Sequence, residues 1–215
     1  MSFLEVAATV LTVAFFWTNV MAVHALKRGG TVGNASCTFW LKYGILLPNQ
    51  AIIIVNGTGL LLSIYCLMIF HRYHDRRDQT EKHLATTFLF TLVILAYVRF
   101  NSQSPTITHQ LGFLACAMSM IMFGAPLLSL RQVLATRNPY PHITLPTAAT
   151  SFTVCTLWTL MGLSLNDTFI TLPNATGGLL ALGQLVVLYL FRGKGGKDGL
   201  EPILPTQAMS TKIAL

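Results

Sequence analysis

Charge is scarce in this chain. Its 215 residues include 7 acidic and 14 basic side chains, 10% charged residues in all, against 53% apolar ones; an ordinary soluble domain is about a quarter charged. That scarcity excludes a well-solvated surface around one core and places the chain in the membrane class. Cysteine is also thin. Cys37, Cys66, Cys116 and Cys155 lie apart inside apolar runs, with no CxxC spacing and no neighbouring histidines, so zinc frameworks are excluded and the thiols read as small packing residues. No paired histidine and nucleophile, no phosphate-cradling glycine loop and no metal-spaced ligands occur. The chain is therefore not read as an enzyme, and neither a cofactor nor a metal is expected. The net charge of +7 is scattered among short loops without a basic face or recognition element, which argues against a nucleic-acid partner.

Long apolar segments are abundant. Seven can be read, at roughly 3 to 26, 34 to 47, 51 to 70, 84 to 100, 109 to 130, 143 to 164 and 168 to 191. Most approach the roughly 20 residues a spanning helix needs, and the second is too short. Lys and Arg are retained on the cytosolic side, and a seven-pass path puts all but Lys42 and Arg99 on one side. The amino terminus is then outside and the carboxyl terminus cytosolic. The first segment lacks a basic leader region and runs long, so it reads as a retained span. Asn34, Asn56, Asn166 and Asn174 begin Asn-x-Ser/Thr triplets, but their depth or side of the membrane argues against glycosylation.

The chain repeats itself. Residues 37 to 64 align without a gap on residues 155 to 182 at an offset of 118, with 11 of 28 positions identical. Cys37, Thr38, Trp40, Gly44, Ile52, Asn56, Thr58 and Gly59 meet Cys155, Thr156, Trp158, Gly162, Ile170, Asn174, Thr176 and Gly177. The expected architecture is an all-α membrane protein of seven transmembrane helices, arranged as two parallel three-helix bundles joined by a linker helix. Residues 1–72 form the first bundle, 73–105 the linker, 106–191 the second bundle and 192–215 a flexible cytosolic tail. Like halves around a central site can rock against each other, which points to a transporter.

The duplication puts two carboxamides, Asn56 and Asn174, at equivalent depth, expected near the bilayer midplane. An amide facing lipid is costly, so each is expected to point into the bundle. A symmetric pair suggests a shared ligand, and each amide offers two donors and two acceptors, a match for the neighbouring hydroxyls of a sugar. Trp40 and Trp158 repeat in the same way. As interfacial belt residues they would be unremarkable; paired with the amides, their indoles supply apolar area to the C–H face of a sugar ring. No intramembrane carboxylate cluster accompanies them, so proton coupling is not suggested.

The stretch CTFWLKYGILLPNQAIIIVNGTG from Cys37 to Gly59 resembles the SWEET (saliva-type) sugar transporters, animal branch, as do FGAPLLSLRQVLATRN and the run TLPTAATSFTVCTLWTLMGLSLNDTFITLPNATG up to Gly177. The resemblance runs from helix one to helix seven. It implies a facilitative, bidirectional sugar uniporter built from two three-helix bundles and an inversion-linker helix, and a homo-oligomer. By that resemblance Asn56 and Asn174 bind sugar hydroxyls, Trp40 and Trp158 flank the ring, Tyr43 and Asp167 form an extracellular gate, and Pro126 and Pro146 are hinges. The implied substrate is a mono- or disaccharide, a glucose-like hexose first. The implied location is the lipid bilayer of the plasma membrane, with the Golgi as the other candidate.

One departure from the family pattern stands out. The family carries hinge prolines in both bundles, whereas none occurs here between Met1 and Tyr43. Aligning FFWTNVMAVHALKR with FGAPLLSLRQVLATR gives an offset of 107 to 109 in place of 118, so the first repeat is shorter between its first two helices. The expectation is a shortened helix two, Asn34 to Leu47. A natural variant, an alternatively spliced form and an incomplete gene model would each leave this pattern. A transport-inactive relative acting as an oligomer subunit is therefore the second reading. A seven-helix receptor is disfavoured, because it predicts no such repeat.

Overall fold

The computed structural model describes residues 2–21, 26–73, 77–101, 104, 106–139 and 142–191. The expected tail from 192 onward lies outside them. Among the described residues there are helices and no strands: α1 (Phe3–Met21), α2 (Leu26–Leu46), α3 (Gln50–Tyr73), α4 (Arg77–Phe100), α5 (Ile107–Met122), α6 (Gly124–Thr136), α7 (Leu145–Ser164) and α8 (Thr168–Leu190).

Helices α5 and α6 are one span of 30 residues, Ile107–Thr136, interrupted at Phe123. The interruption follows from Pro126, which has no N–H to offer the Met122 carbonyl and whose ring crowds the preceding turn. The Phe123 N–H reaches only three residues back, to the Met120 carbonyl at 3.1 Å. Counted this way, eight helical segments make seven spans. This span and Thr168–Leu190 are each long and apolar enough to cross a membrane, and shorter apolar helices cover Phe3–Phe16, Gln50–Cys66 and Phe88–Phe100.

Two triplets with the same internal order result. In the first, α3 packs on both α1 and α2; in the second, α8 packs on α5, α6 and α7. The third helix of each triplet is therefore the central one. Between triplets the contacts are α2 on α5 and α1 on α7, and the linker helix α4 packs on α2, where Phe90 meets Phe39 edge-on at 6.4 Å. The turns closing the two repeats are copies. Leu47 and Asn49 donate to the carbonyls of Tyr43 and Gly44 at 3.0 and 2.9 Å, as Leu165 and Asp167 donate to those of Met161 and Gly162 at 3.0 and 2.8 Å. Asn166 takes the left-handed conformation there, φ 52°, which asparagine tolerates.

The expected shortening of helix two is corrected. Helix α2 has 21 residues and matches the 20 of α7, so the deficit lies ahead of Leu26: 23 positions separate the starts of α1 and α2, against 38 between those of α5 and α7. The hydropathy reading stopped at Asn34 because the first turns of α2 are LKRGGTVG, which carry no apolar period. A helix needs only backbone N–H groups, and no proline before Pro48 interrupts them.

The largest buried cluster is shared by both triplets and includes Phe39, Tyr43, Ile52, Leu111, Ala115, Trp158, Met161 and Ile170. A second cluster, Val133, Ile143, Ala148 and Val187, belongs to the second triplet alone and lies at its other end. The shared cluster extends to the end carrying the two repeat-closing turns, which the distribution of basic residues assigns to the outside. That end is called outer below.

Candidate site between the bundles

At the outer end one hydrogen bond joins the two bundles. The Tyr43 hydroxyl on α2 donates to Asp167 Oδ2 at 2.7 Å. Asp167 is held for this by its own helix: its Oδ1 accepts from the backbone N–H groups of Phe169 and Ile170 at 2.9 and 3.1 Å, capping α8. A carboxylate receiving three donors at a helix N-terminus is fixed in place. Around it the Tyr43 ring meets Trp40 edge-on at 5.5 Å and Phe169 at 6.3 Å, and Phe169 in turn meets His109 at 5.8 Å. Gly112 on α5 makes this approach possible, since a Cβ there would stand 2.6 Å from Phe169 and 2.8 Å from Tyr43.

One turn deeper, the two tryptophans cross the same boundary. Trp40 on α2 donates its indole N–H to Ser119 on α5 at 2.9 Å, and Trp158 on α7 donates to Thr12 on α1 at 2.9 Å. Each hydroxyl passes its own proton back along its helix, Ser119 to the Ala115 carbonyl at 3.1 Å and Thr12 to the Ala8 carbonyl at 2.7 Å. Ala8 and Ala115 are fully buried. Trp158 and Thr12 are buried too, and Trp40 is half-buried.

The asparagines are placed alike. Asn56 donates one amide N–H to the Ile52 carbonyl at 2.9 Å, and Asn174 donates to the Ile170 carbonyl at 2.7 Å. Both are half-buried, and among the described residues neither amide oxygen is given a donor. Each thus keeps an acceptor and a second N–H for a ligand. Each is the seventh residue of its helix, about 9 Å from its outer end at 1.5 Å per residue and about halfway between that end and the middle of the helix. Behind the asparagines, Gly59 packs against Phe16 and Cys37 as Gly177 packs against Phe123 and Cys155. A Cβ at either glycine would come within about 3 Å of those groups, 2.9 Å at Gly59 and 3.0 Å at Gly177.

The structure therefore brings Tyr43 to Asp167 and sets Trp40 and Trp158, and Asn56 and Asn174, in duplicate surroundings. Pro126 stands three residues beyond the break in the α5–α6 span, while Pro146 occupies the first turn of α7, where its missing N–H costs no helical bond. A further proline, Pro173, is buried inside α8 directly before Asn174, and it leaves the Phe169 carbonyl without its helical donor. Sequence reasoning missed Thr12, Ser119, Gly112 and Phe169. The signal for the first two was present: the offset of 107 that relates Phe16 to Phe123 also relates Thr12 to Ser119 and Ala8 to Ala115. Among the described residues no group of three or more His, Cys, Asp or Glu side chains is placed to hold a metal.

Comparison with known proteins agrees with this duplication. A family described as sugar efflux transporter for intercellular exchange matches residues 2–78 and 109–195, once over each bundle. The sugar transporter SWEET1 of Drosophila pseudoobscura pseudoobscura is 31% identical over 161 residues, 74% of this chain and 71% of that protein. The bidirectional sugar transporter SWEET7b of Oryza sativa subsp. indica is 31% identical over 188 residues, 82% and 69% of the two chains, and SWEET1 of Rattus norvegicus is 28% identical over 206 residues, 88% and 90%. Among solved structures, a eukaryotic SWEET transporter superposes with a TM-score of 0.74 at 22% identity, covering 88% of this chain and 99% of that one, which establishes the shared fold.

Proposed function

We propose, since this chain belongs to the SWEET family of sugar transporters, that it is a facilitative carrier which moves a glucose-like hexose in both directions by alternating access. A member of this family is a multi-pass membrane transporter and not an enzyme. The observation that carries the finer reading is the closed outer end: two like bundles meet through Tyr43 and Asp167, while the paired amides of Asn56 and Asn174 below keep free donors and acceptors. Sugar hydroxyls bind those amides, and the indoles of Trp40 and Trp158 cover the ring. Parting of Tyr43 from Asp167 admits the sugar from outside. Bending at the Phe123 break beside Pro126, and in the connection ahead of Pro146, opens the cytosolic side.

The amino terminus is placed outside and the carboxyl terminus in the cytosol, with the plasma membrane as the first site of action and the Golgi as the second. A homo-oligomer is the proposed assembly. Uptake of labelled glucose into cells lacking their own hexose carriers, or into liposomes holding the purified chain, tests the reading. Flux is expected, and Asn174→Ala should lower it; undiminished flux in that variant would remove the site assignment.

One observation supports a second reading. Only 23 positions separate the starts of α1 and α2, against 38 between those of α5 and α7, and the first bundle lacks the hinge prolines expected from the family resemblance. A chain that transports nothing alone but alters flux when co-expressed with a full-length relative would be a regulatory subunit.

A further inference from the structure

The two indole bonds are related by the internal duplication, and each serves one of the two helix pairs that join the bundles. Trp40 to Ser119 ties α2 to α5, and Trp158 to Thr12 ties α7 to α1. We propose that Thr12 and Ser119 are positioning residues forming a double latch: each holds the indole of the opposite bundle while the outer end is closed, and both must let go when it opens. This rests on the carrier reading above, in which the indoles belong to the sugar site.

The chemistry requires hydroxyls at both places. An indole N–H can only donate, so its partner must accept, and the partner must also spend its own proton in a buried setting. Thr12 and Ser119 do both, donating to the carbonyls of Ala8 and Ala115 four residues back, which aims an oxygen lone pair across the boundary. Ala8 and Ala115, whose carbonyls accept these bonds, are fully buried. Counting back from the outer end of α2, Trp40 lies six residues in, about 9 Å deep, the same depth as Asn56. A parting that lets solute from outside reach the asparagines therefore has to break the indole bonds as well as the Tyr43 bond above them. In the closed state the N–H groups are occupied by protein hydroxyls; in the open state they are released beside the amides and can meet a sugar hydroxyl. The tryptophans thus exchange partners during the cycle.

The test uses the full chain in liposomes without sugar, so that its outcome does not depend on transport. Leu111→Cys places a reporter thiol on α5 at a site only 1% exposed within the shared core. Its reaction with a membrane-impermeant maleimide added outside, measured against the same chain lacking the reporter, reads how often the outer end opens. Ser119→Ala or Thr12→Val should each raise the labelling rate about threefold, and the two together about tenfold, the size expected for interhelical hydrogen bonds in a membrane. Ser119→Thr and Thr12→Ser should leave it unchanged. Trp40→Phe should match Ser119→Ala, and the pair combined should do no more than either alone. Parental labelling in the Ser119→Ala and Thr12→Val chains, or additive effects of Trp40→Phe and Ser119→Ala, would overturn the latch. Where Trp40→Phe does not fold, the contrast between Ser119→Ala and Ser119→Thr decides alone. Loss of glucose flux with labelling as expected would reject the carrier reading and leave the latch standing.

Discussion

In the second bundle 38 positions separate the start of the first helix at Ile107 from that of the second at Leu145, and the first helix breaks at Phe123; in the first bundle only 23 positions separate Phe3 from Leu26. The outer turns differ as well, although their backbones are copies. Asp167 stands in the second where Asn49 stands in the first, and Asn49 caps α3 through Ile52 at 3.1 Å while reaching Glu5 of its own bundle at 3.4 Å. Tyr43 has Met161 as its counterpart, so the polar closure of the outer end is made once, by Tyr43 and Asp167. Only the middle layer, tryptophan to hydroxyl, is duplicated across the boundary. Duplication therefore fixed the frame and the paired tryptophans and asparagines, while the side chains of the outer turns diverged.

The paired glycines give the sharpest way to break this comparison. A Cβ on Gly162 would lie 2.8 Å from the Thr171 backbone nitrogen, which cannot yield without unwinding α8; a Cβ on Gly44 would meet side-chain atoms, Ile52 Cγ2 at 2.8 Å and Cβ at 3.0 Å, so rotation relieves part of the clash and a small shift of α3 the rest. Gly162→Ala should cost more than about 3 kcal/mol or prevent folding, and Gly44→Ala about 1 to 2 kcal/mol, by thermal unfolding in detergent. Equal losses would show that the two repeat-closing turns are not packed as described. Next comes the cap. Asp167→Ala removes two backbone caps and the bond from Tyr43, for about 3 kcal/mol, and Asn49→Ala about 1 kcal/mol. Tyr43→Phe keeps the Asp167 cap and should cost about half of the Asp167→Ala loss.

Smaller effects concern transport. Asn56→Ala and Asn174→Ala should each raise the half-saturating glucose concentration about tenfold, the value of one or two hydrogen bonds. A loss in only one of them would mean that the sugar sits on one bundle. The smallest change is expected at Pro126→Ala, which restores a donor to the Met122 carbonyl. It should stabilise the chain by about 1 kcal/mol and slow exchange about twofold in equilibrium counterflow.

Much of this was legible beforehand because duplication is a sequence property. The offset of 118 marked Trp40 with Trp158 and Asn56 with Asn174, and structure gives each pair matching partners. Helix two was misread because hydropathy follows apolar composition, whereas the first turns of α2, LKRGGTVG, carry no apolar period and are nonetheless helical. The hydroxyls were passed over for a different reason. Thr12 and Ser119 are ordinary residues in apolar helices, and nothing local distinguishes them from Thr9 or Thr159, which also bond back to their own helices.

The residues alone determined that this chain is a duplicated bundle of membrane helices with two amides and two indoles in register, because composition, period and repeat offset are carried by the order of the letters. Only the tertiary structure decided what those side chains touch. Tyr43 finds Asp167 at a separation of 124 positions, and Trp158 finds Thr12 at 146. Such bonds depend on which helix faces are brought together, here α1 with α7 and α2 with α5, and that is settled by packing across the whole molecule.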